Sequence, residues 1–382
     1  MRAITNTQLI LEDGIVWDGA LTFDDGKILQ CGWAKDIEIP ETAERIDAGG
    51  LYTAPGFVDV HNHGGDGAWF YDQPEKAARH FLSHGQTTVL PTLYFNLDRG
   101  QTLEAMRTIR NSSSKNCARI IKGLYMEGPY MNPRYGCDQK NVKWQNAIEP
   151  EEFMEIVDAA GDFVKVWCIA PERENIEAFV RYAKKVNPSV VFSIGHSDAN
   201  AEIIHKLKRY GLINQTHHTD SGQAPGSMPG LKGAGPDEYC LYDEDMYAEL
   251  ICDFAGVHVR PFMLRMVAKI KGIDKVILIT DSCPFTGKNR EGVEYGPDLG
   301  YDSDGWLAGS KLTMDAACRN MMMHTGYGLC HVVKFATANP AKMAGLYDKV
   351  GSLQAGKRAD LILIDDKVNI HKVFLDGEEI IL

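Results

Sequence analysis

Hydrophobic residues in the middle of the chain form short continuous runs, and most of these runs are separated by amphipathic stretches. The apolar runs occupy 57–60, 88–95, 119–126, 163–169, 189–194, 211–216, 248–254 and 275–280. The helical patterns cover 74–84, 98–111, 150–160, 173–186, 199–210 and 260–271. Continuous apolar strands that alternate with helices are typical of a parallel sheet covered on both faces. Eight such strands over about 230 residues favour a closed (β/α)8 TIM-type barrel over an open doubly wound sheet.

The two ends of the chain have a different pattern, with short strands separated by tight turns. Glu12-Asp13-Gly14 is a hairpin signal near the start, and Asp376-Gly377 is a similar signal near the end. Because chain ends commonly lie close together in a domain, we predict that both termini build one small β domain. The predicted division is a small β-sandwich domain at 1–54 and 344–382 and an α/β barrel domain at 55–343.

The overall charge excludes several classes of partner. The 382 residues include 40 Lys and Arg against 52 Asp and Glu, which gives a formal net charge of −12. An acidic chain without a basic block lacks the electrostatic signature of nucleic-acid binding. No apolar run approaches the roughly 18 residues of a membrane span, and the N-terminal segment reaches an acidic turn too early for a signal peptide. The nine cysteines include no CxxC pair and indicate reduced thiols, so we expect a cytoplasmic protein.

Histidines and carboxylates recur at the C-terminal ends of the predicted strands. These residues are His61, His63, Glu127, His196, His217, His258 and Asp281. Each alone has an ordinary interpretation as a hydrogen-bonded core histidine, a paired carboxylate or a helix cap. In a barrel, however, these strand ends converge on one mouth, where catalytic groups are normally found. Independent placement of these residue types at corresponding strand ends is improbable, and the pattern therefore predicts a metal site.

The donor set determines which metal fits and what it would do. Imidazole and carboxylate ligands suit zinc, with iron as an alternative divalent ion. His61 and His63 lie on the same face of a strand, so both can reach one ion. Four histidines exceed the need of one catalytic ion, which leaves one ion or two ions bridged by Glu127 as open alternatives. A bound metal makes hydroxide available near neutral pH, and Asp281 would accept the proton of that water and return it to a leaving group.

Several longer motifs occur in order over nearly the whole chain. They are the stretches 54–64, 126–130, 195–199, 216–217, 280–281, 308–314, 338–341 and 351–361. With these motifs the sequence resembles the amidohydrolase superfamily and, within it, the N-acetylglucosamine-6-phosphate deacetylases. The resemblance implies hydrolysis of an N-acetyl amide, with release of acetate and an amino sugar phosphate, by a homodimer whose subunits complete each other's pockets.

The resemblance also implies roles for individual residues. Glu127, His196 and His217 would be the main metal ligands, His61 and His63 would hold a second metal, Asp281 would be the catalytic acid and base, and His258 would contact substrate. The family pattern after the strand-six histidine is Leu-Phe/Tyr-Asn-Ala-Met, whereas this chain has His218-Thr219-Asp220-Ser221-Gly222. We therefore include His218, Asp220 and Ser221 among the expected substrate contacts.

These departures leave the substrate open. A carboxylate at Asp220 would repel a phosphate, and the usual basic residue before the Pro-Gly of this loop is missing. Arg134, Lys232 and Arg260 are candidate replacements. The first hypothesis is a deacetylase of an N-acetylated amino sugar phosphate, and the alternative is an amidohydrolase acting on another, unphosphorylated N-acyl compound. A catalytically silent barrel is a third hypothesis, and a lid is our preferred interpretation of the Gly/Pro-rich stretch 221–236.

Overall fold

The computed structural model describes residues 1–136, 142–222 and 233–381. The strands are β1 (Arg2–Leu11), β2 (Gly14–Asp24), β3 (Lys27–Trp33), β4 (Glu44–Asp47), β5 (Tyr52–Pro55), β6 (Phe57–Asn62), β7 (Gly64–Gly65), β8 (Ala68–Trp69), β9 (Gln86–Tyr94), β10 (Leu124–Glu127), β11 (Val164–Ile169), β12 (Val191–Ile194), β13 (Leu212–Gln215), β14 (Tyr247–Ile251), β15 (Val276–Ile279), β16 (Leu299–Tyr301), β17 (Leu307–Ser310), β18 (Leu361–Ile364), β19 (Ile370–Leu375) and β20 (Glu378–Glu379).

The helices lie mainly between the strands, and several of them begin at residues that favour a helix N-terminus. They are α1 (Pro74–Ser83), α2 (Arg99–Ser112), α3 (Pro150–Ala160), α4 (Ile176–Val186), α5 (Ala201–Lys208), α6 (Pro236–Tyr242), α7 (Pro261–Lys271), α8 (Met314–Thr325), α9 (Leu329–Phe335) and α10 (Ala338–Met343). Proline opens four of these helices because its missing N–H costs nothing in the first turn. A capping box opens α2, in which Asp98 accepts from the Gln101 N–H at 2.8 Å and the Gln101 side chain accepts from the Asp98 N–H at 2.9 Å.

Eight parallel strands form the barrel that the apolar runs predict. Their order is β6-β9-β10-β11-β12-β13-β14-β15, and each neighbouring pair is parallel. All nine residues of β9 are buried, which explains why such strands have continuous rather than alternating hydrophobicity. The predicted (β/α)8 barrel is confirmed.

The first and last barrel strands meet at a seam near the barrel mouth. The Asp281 N–H donates to the His61 carbonyl at 2.9 Å, and the His63 N–H donates to the Ser282 carbonyl at 2.8 Å. These residues follow β15 or end β6, so the seam is closed by backbone groups of predicted site residues.

Strands from both chain ends form a second sheet. The order is β20-β19-β18-β5-β1-β2-β3, with β4 paired to β1. Phe23 of β2 and Phe374 of β19 come from strands far apart in this order, yet their rings meet edge to face at 5.9 Å. The single sheet therefore curls around its own core, and this is the form that the expected terminal β unit takes.

Some elements between the barrel strands differ from the sequence prediction. The helix α6 lies between β13 and β14, where no helical pattern was assigned, and the Gly-rich loop after β15 contains the β16–β17 hairpin. Strand β14 ends at Ile251, so His258 lies on the following loop and not on a strand that runs out to it. Of the helices in the described parts of the chain, none is long and apolar enough to cross a membrane.

Candidate metal centre and active site

The carboxylate of Glu127 lies between two pairs of histidines. Glu127 is the last residue of β10 and is buried. Its Oε1 is 2.9 Å from His196 Nε2 and 3.1 Å from His217 Nε2. Its Oε2 is 3.3 Å from His63 Nε2 and 3.7 Å from His61 Nε2. One carboxylate thus faces four imidazoles, and each of its oxygens serves one pair.

Two overlapping groups of side chains have the spacing of metal ligands. His61, His63 and Glu127 form one group, and Glu127, His196 and His217 form the other, with the ligand atoms of each group within 4.8 Å of one another. Both ring nitrogens of His61 are buried and face carboxylates, Nδ1 that of Glu249 and Nε2 that of Glu127, but neither contact has hydrogen-bond geometry. Because buried polar atoms without a hydrogen bond are rare, a divalent cation fits as the partner of the His61 Nε2.

The charges of this cluster depend strongly on one another. Burial alone would lower the pKa of His61, but the Glu127 and Glu249 carboxylates outweigh it and raise that pKa to about 10. Burial would raise the pKa of Glu127, but hydrogen bonds from His196 and His217 hold it well below its usual range. The carboxylates therefore favour positive charge on their partners, and a divalent cation would supply that charge in place of protons.

Three of the histidines have a partner on the Nδ1 side of the ring. His63 Nδ1–H donates to the Thr92 carbonyl at 3.1 Å, and His217 Nδ1 is 2.7 Å from Asp220 Oδ1. His61 Nδ1 lies 3.4 Å from Glu249 Oε2. These contacts leave the Nε2 atoms directed at Glu127, which is the arrangement that metal-binding histidines need.

Asp281 adds a second carboxylate to the cluster. Its Oδ1 is 3.1 Å from His63 Nε2 and 3.6 Å from His61 Nε2. Burial raises its pKa, but the hydrogen bond from His63 and the charges of His61 and His217 outweigh burial and lower it. A carboxylate that stays ionised beside the metal-ligand candidates can accept a proton.

The backbone at three of these residues is left-handed. His196, His217 and Asp281 have φ values of 48°, 27° and 46°. Each residue directly follows a barrel strand or lies within two residues of its end. Residues other than glycine adopt this backbone conformation at an energetic cost, and such strained residues cluster at functional sites. The barrel therefore turns its chain sharply where the predicted ligands enter the mouth.

A cavity of about 600 Å³ opens over the cluster. Its aromatic lining consists of Trp69, Tyr94, Phe95, Tyr135, Phe285 and Trp306. Its carboxylates are Glu127, Asp220, Asp281, Asp302 and Asp304. Among the described residues, no Lys or Arg lines it. As far as the described residues form it, the cavity is thus an acidic pocket with aromatic walls, and a cation bound to the cluster would bring positive charge into it.

The expected substrate contacts divide into two groups. Asp220, Ser221 and His258 line the cavity, whereas His218 does not. His218 is fully buried, its Nδ1 is 2.6 Å from Gln215 Oε1, and burial lowers its pKa to about 3. The reason is geometric, because adjacent residues point in different directions and His217 takes the side that faces the mouth. His258 is fixed by Asp253, which accepts its backbone N–H at 2.9 Å.

Two of the candidate cations for a phosphate are engaged elsewhere. Arg134 pairs with Asp198 at 2.6 Å, and Arg260 forms a two-point contact with Glu294 at an exposed position. Neither arginine lines the cavity. Lys232 lies outside the described residues, as does most of the stretch 221–236 that was interpreted as a lid.

Sequence reasoning missed two buried carboxylates beneath the site. Glu249 in β14 accepts from Asn214 Nδ2 at 2.6 Å and faces His61. Asp59 in β6 accepts from Thr280 Oγ1 at 2.6 Å, which ties the first strand to the last. The available signal was a charged residue inside an otherwise apolar strand, because such a residue is buried only with partners.

The fold and the site together define a hydrolytic enzyme of the (β/α)8-barrel class. The family model described as "Amidohydrolase family" matches residues 52–380, and the chain belongs to the amidohydrolase family. This superfamily is metal-dependent, and the chain has candidate metal-binding residues. The resemblance inferred from the sequence motifs is confirmed.

The chain is similar over its length to curated deacetylases. It is 27% identical over 391 residues to an N-acetylglucosamine-6-phosphate deacetylase of Bacillus subtilis (strain 168), covering 96% of this chain and 94% of that protein. It is 30% identical over 387 residues to one from Lysinibacillus sphaericus, covering 90% and 92%. An N-acetylgalactosamine-6-phosphate deacetylase of Escherichia coli O157:H7 is 28% identical over 399 residues, covering 97% of each.

Solved structures give the same result. The crystal structure of N-acetylglucosamine-6-phosphate deacetylase from Pasteurella multocida has a TM-score of 0.87 at 25% identity and covers 100% of both chains. The enzyme of that name from Mycobacterium smegmatis has a TM-score of 0.83 at 26% identity, also with 100% coverage of both.

Proposed function

We propose that this chain is a metal-dependent deacetylase of an N-acetylated amino sugar phosphate, with N-acetylglucosamine 6-phosphate as its first candidate substrate. The observation that carries the proposal is the Glu127 carboxylate between two histidine pairs, with Asp281 beside them at the floor of a sugar-sized cavity. The related proteins named for deacetylating two such sugar phosphates support the substrate class.

The proposed ligands divide into two half-sites that share Glu127. His196 and His217 with Glu127 would hold one ion, and His61 and His63 with the same carboxylate would hold a second. Zinc fits this set of nitrogen and oxygen donors best, and iron is the alternative. When bound, the ion supplies a Lewis acid that polarises the amide carbonyl and makes water nucleophilic at neutral pH.

The proposed role of Asp281 is to move one proton. As an ionised carboxylate it accepts a proton from the attacking water, and it then donates that proton to the amide nitrogen as the C–N bond breaks. The products are acetate and the amino sugar phosphate. The contact at 3.1 Å between Asp281 Oδ1 and His63 Nε2 supports this role because it holds the carboxylate at the predicted second half-site.

His258 and Ser221 are proposed to orient the substrate. Both residues line the cavity, and His258 is held by Asp253 through its backbone N–H and its Nδ1 at 3.3 Å. This leaves the Nε2 of His258 for a substrate oxygen. Orientation of the acetyl group close to the attacking water contributes to the rate because it removes the entropy cost of encounter.

The decisive experiment is acetate release from a matched set of substrates. The set contains N-acetylglucosamine 6-phosphate, N-acetylgalactosamine 6-phosphate, N-acetylglucosamine and an N-acetyl amino acid. Higher kcat/KM for a phosphorylated sugar than for its unphosphorylated form supports the proposal. Preference for an unphosphorylated compound would assign another N-acyl substrate to the same centre, and no acetate from any of the four by metal-replete protein would overturn the proposal.

The domain division, the cellular location and the oligomeric state are proposed together. We propose that the terminal unit comprises 1–54 and 344–382, that the catalytic unit comprises 55–343, and that the enzyme acts in the cytoplasm as a homodimer. The reduced thiols support the cytoplasmic location, because all eight cysteines in the described residues are free. Light scattering of the purified protein tests the dimer, and a monomeric mass with full activity would exclude it as the functional unit.

A further inference from the structure

Asp220 contacts a proposed metal ligand directly. Its Oδ1 lies 2.7 Å from Nδ1 of His217, whose Nε2 is 3.1 Å from Glu127 Oε1. We propose that Asp220 is a positioning residue that holds the His217 imidazole toward the metal site, and that it is not a substrate contact. This inference rests on the proposed function through the assignment of His217 as a ligand.

A tight turn places the carboxylate over the ring. The Asp220 N–H donates to the His217 carbonyl at 3.1 Å, so residues 217–220 close on themselves. The Ser221 hydroxyl donates to the Thr216 carbonyl, and the Ser197 N–H donates to the Ser221 carbonyl at 3.2 Å. These bonds anchor the turn to the ends of β13 and β12, and the position of the Asp220 carboxylate is therefore determined by the barrel itself.

The chemistry of this contact favours a metal-supporting role. A histidine ligand binds through one ring nitrogen, and a carboxylate on the other nitrogen fixes the tautomer, the ring orientation and the basicity of the ligand. An amide, which the family pattern has at this position, can also accept the Nδ1–H but carries no charge. The carboxylate makes the stronger, charge-assisted bond. The departure at position 220 thus strengthens the hold on His217.

The same contact removes the apparent conflict with an anionic substrate. Asp220 would repel a phosphate if its charge faced the cavity alone. In the structure its Oδ1 faces the His217 imidazole, and its side chain is only 28% exposed. A carboxylate shared with an imidazole presents less negative charge to the cavity, so its presence is compatible with a sugar phosphate.

The test compares metal affinity among three variants. Asp220→Asn keeps the shape of the side chain, Asp220→Ala removes it, and Asp302→Asn is the matched control. Asp302 lines the same cavity, but its Oδ1 accepts the backbone N–H groups of Asp304 and Trp306 at 2.9 Å each. Asparagine can still accept those bonds, so this variant removes one negative charge from the cavity without touching a histidine.

Metal affinity is measured by competition with a chromogenic chelator, using zinc and no substrate. We expect Asp220→Ala to lower the affinity by about 10-fold to 100-fold, Asp220→Asn by less, and Asp302→Asn not at all. With the metal site saturated, the KM of the Asp220→Asn variant should match that of the wild type. Unchanged metal affinity in both Asp220 variants, whether KM is raised or not, would overturn the proposal.

Two further measurements separate the inference about Asp220 from the ligand assignment of His217 and from the proposed function. His217→Ala should lose metal more severely than either Asp220 variant, and wild-type affinity in His217→Ala would refute the ligand assignment itself. Absence of acetate release by the wild type would refute the proposed function while leaving the metal result intact. A single cooperative thermal transition of metal-free Asp220→Asn shows that the variant is folded, and loss of the bond to His217 is expected to lower its melting temperature slightly.

Discussion

The Oδ1 of Asp281 lies 3.1 Å from the Nε2 of His63, across the seam between the last and first barrel strands. The two residues thus come from opposite ends of the barrel sequence and meet only when the barrel closes. The proposed proton carrier and the proposed second half-site share this contact. A change at Asp281 is therefore informative about chemistry and about metal binding separately.

Asp281→Asn is expected to abolish turnover while leaving metal bound. The amide cannot accept a proton from water, and general acid–base catalysis contributes about 10²-fold to 10⁴-fold to a rate. Acetate release measures the loss, and elemental analysis measures the metal content. An active Asn variant would exclude Asp281 as the acid and base, and a variant that has lost its metal would place Asp281 among the ligands.

Removal of the metal is expected to lower the melting temperature. The Glu127 cluster holds four imidazoles around one carboxylate. When the free ion concentration is about 1,000 times the Kd, an ion that binds only the folded state adds about 4 kcal/mol to the free energy of unfolding. Calorimetry before and after chelation, and after zinc is restored, measures the effect. The Glu127→Gln variant should respond weakly to chelation, and an unchanged melting temperature in the wild type would argue against a metal held by these residues.

Gly195→Ala is expected to destabilise the protein and disturb the metal site together. A Cβ at this position would lie 2.7 Å from Thr216 Cβ and 2.8 Å from Cys168 Sγ, inside the barrel and next to His196. Overpacking of a core costs about 1–3 kcal/mol, and relief of the clash would move His196 away from Glu127. Urea denaturation and metal content check both effects. Gly14→Ala is the control, because no atom lies within 4 Å of its Cβ.

Lys122→Met is expected to stabilise the protein at neutral pH. Burial, with Arg358 nearby, lowers the pKa of Lys122 from 10.5 to about 8. The unfolded chain therefore binds more protons than the folded one between pH 8 and pH 10.5, and the free energy of unfolding rises with pH in that window. Removing the charge should add about 1–3 kcal/mol at pH 7, since each pKa unit corresponds to about 1.4 kcal/mol.

The measurement is the urea midpoint at pH 7 and pH 9.5. The wild type should become more stable from pH 7 to pH 9.5. In Lys122→Met, the part of this pH dependence that comes from Lys122 should be absent. Lys76→Met serves as the control because its side chain is 48% exposed. A variant less stable than the wild type at pH 7 would show that the packing of the lysine stem outweighs the burial of its charge.

The barrel and the set of candidate ligands were predictable because both depend on patterns that are local in sequence. Each buried strand appears as an apolar run, and each polar residue directly after a run marks the mouth. His61, Glu127 and Asp281 were found in this way without any knowledge of their contacts. The β16–β17 hairpin was not, because its residues lack the alternation that marks a strand.

The second layer of the site could not be predicted, because it depends on distances and directions. The contacts of Asp220 with His217 and of Glu249 with His61 follow from backbone turns and strand pairing, which a residue pattern does not contain. The same limit explains His218, which was grouped with the substrate contacts by its place in a motif but points into the core. The left-handed backbone at His196 and His217 also has no signal, because neither is a glycine.

Residues of the proposed reaction centre also make hydrogen bonds that join the first and last strands of the barrel. The amide protons of Asp281 and His63 are among those whose hydrogen bonds close the barrel. If this edge opens, the proposed base separates from the histidine pair before any other strand is lost. We therefore expect these two amides to exchange with solvent faster than those of the central strands on heating, and activity to be lost well before the sheet unfolds.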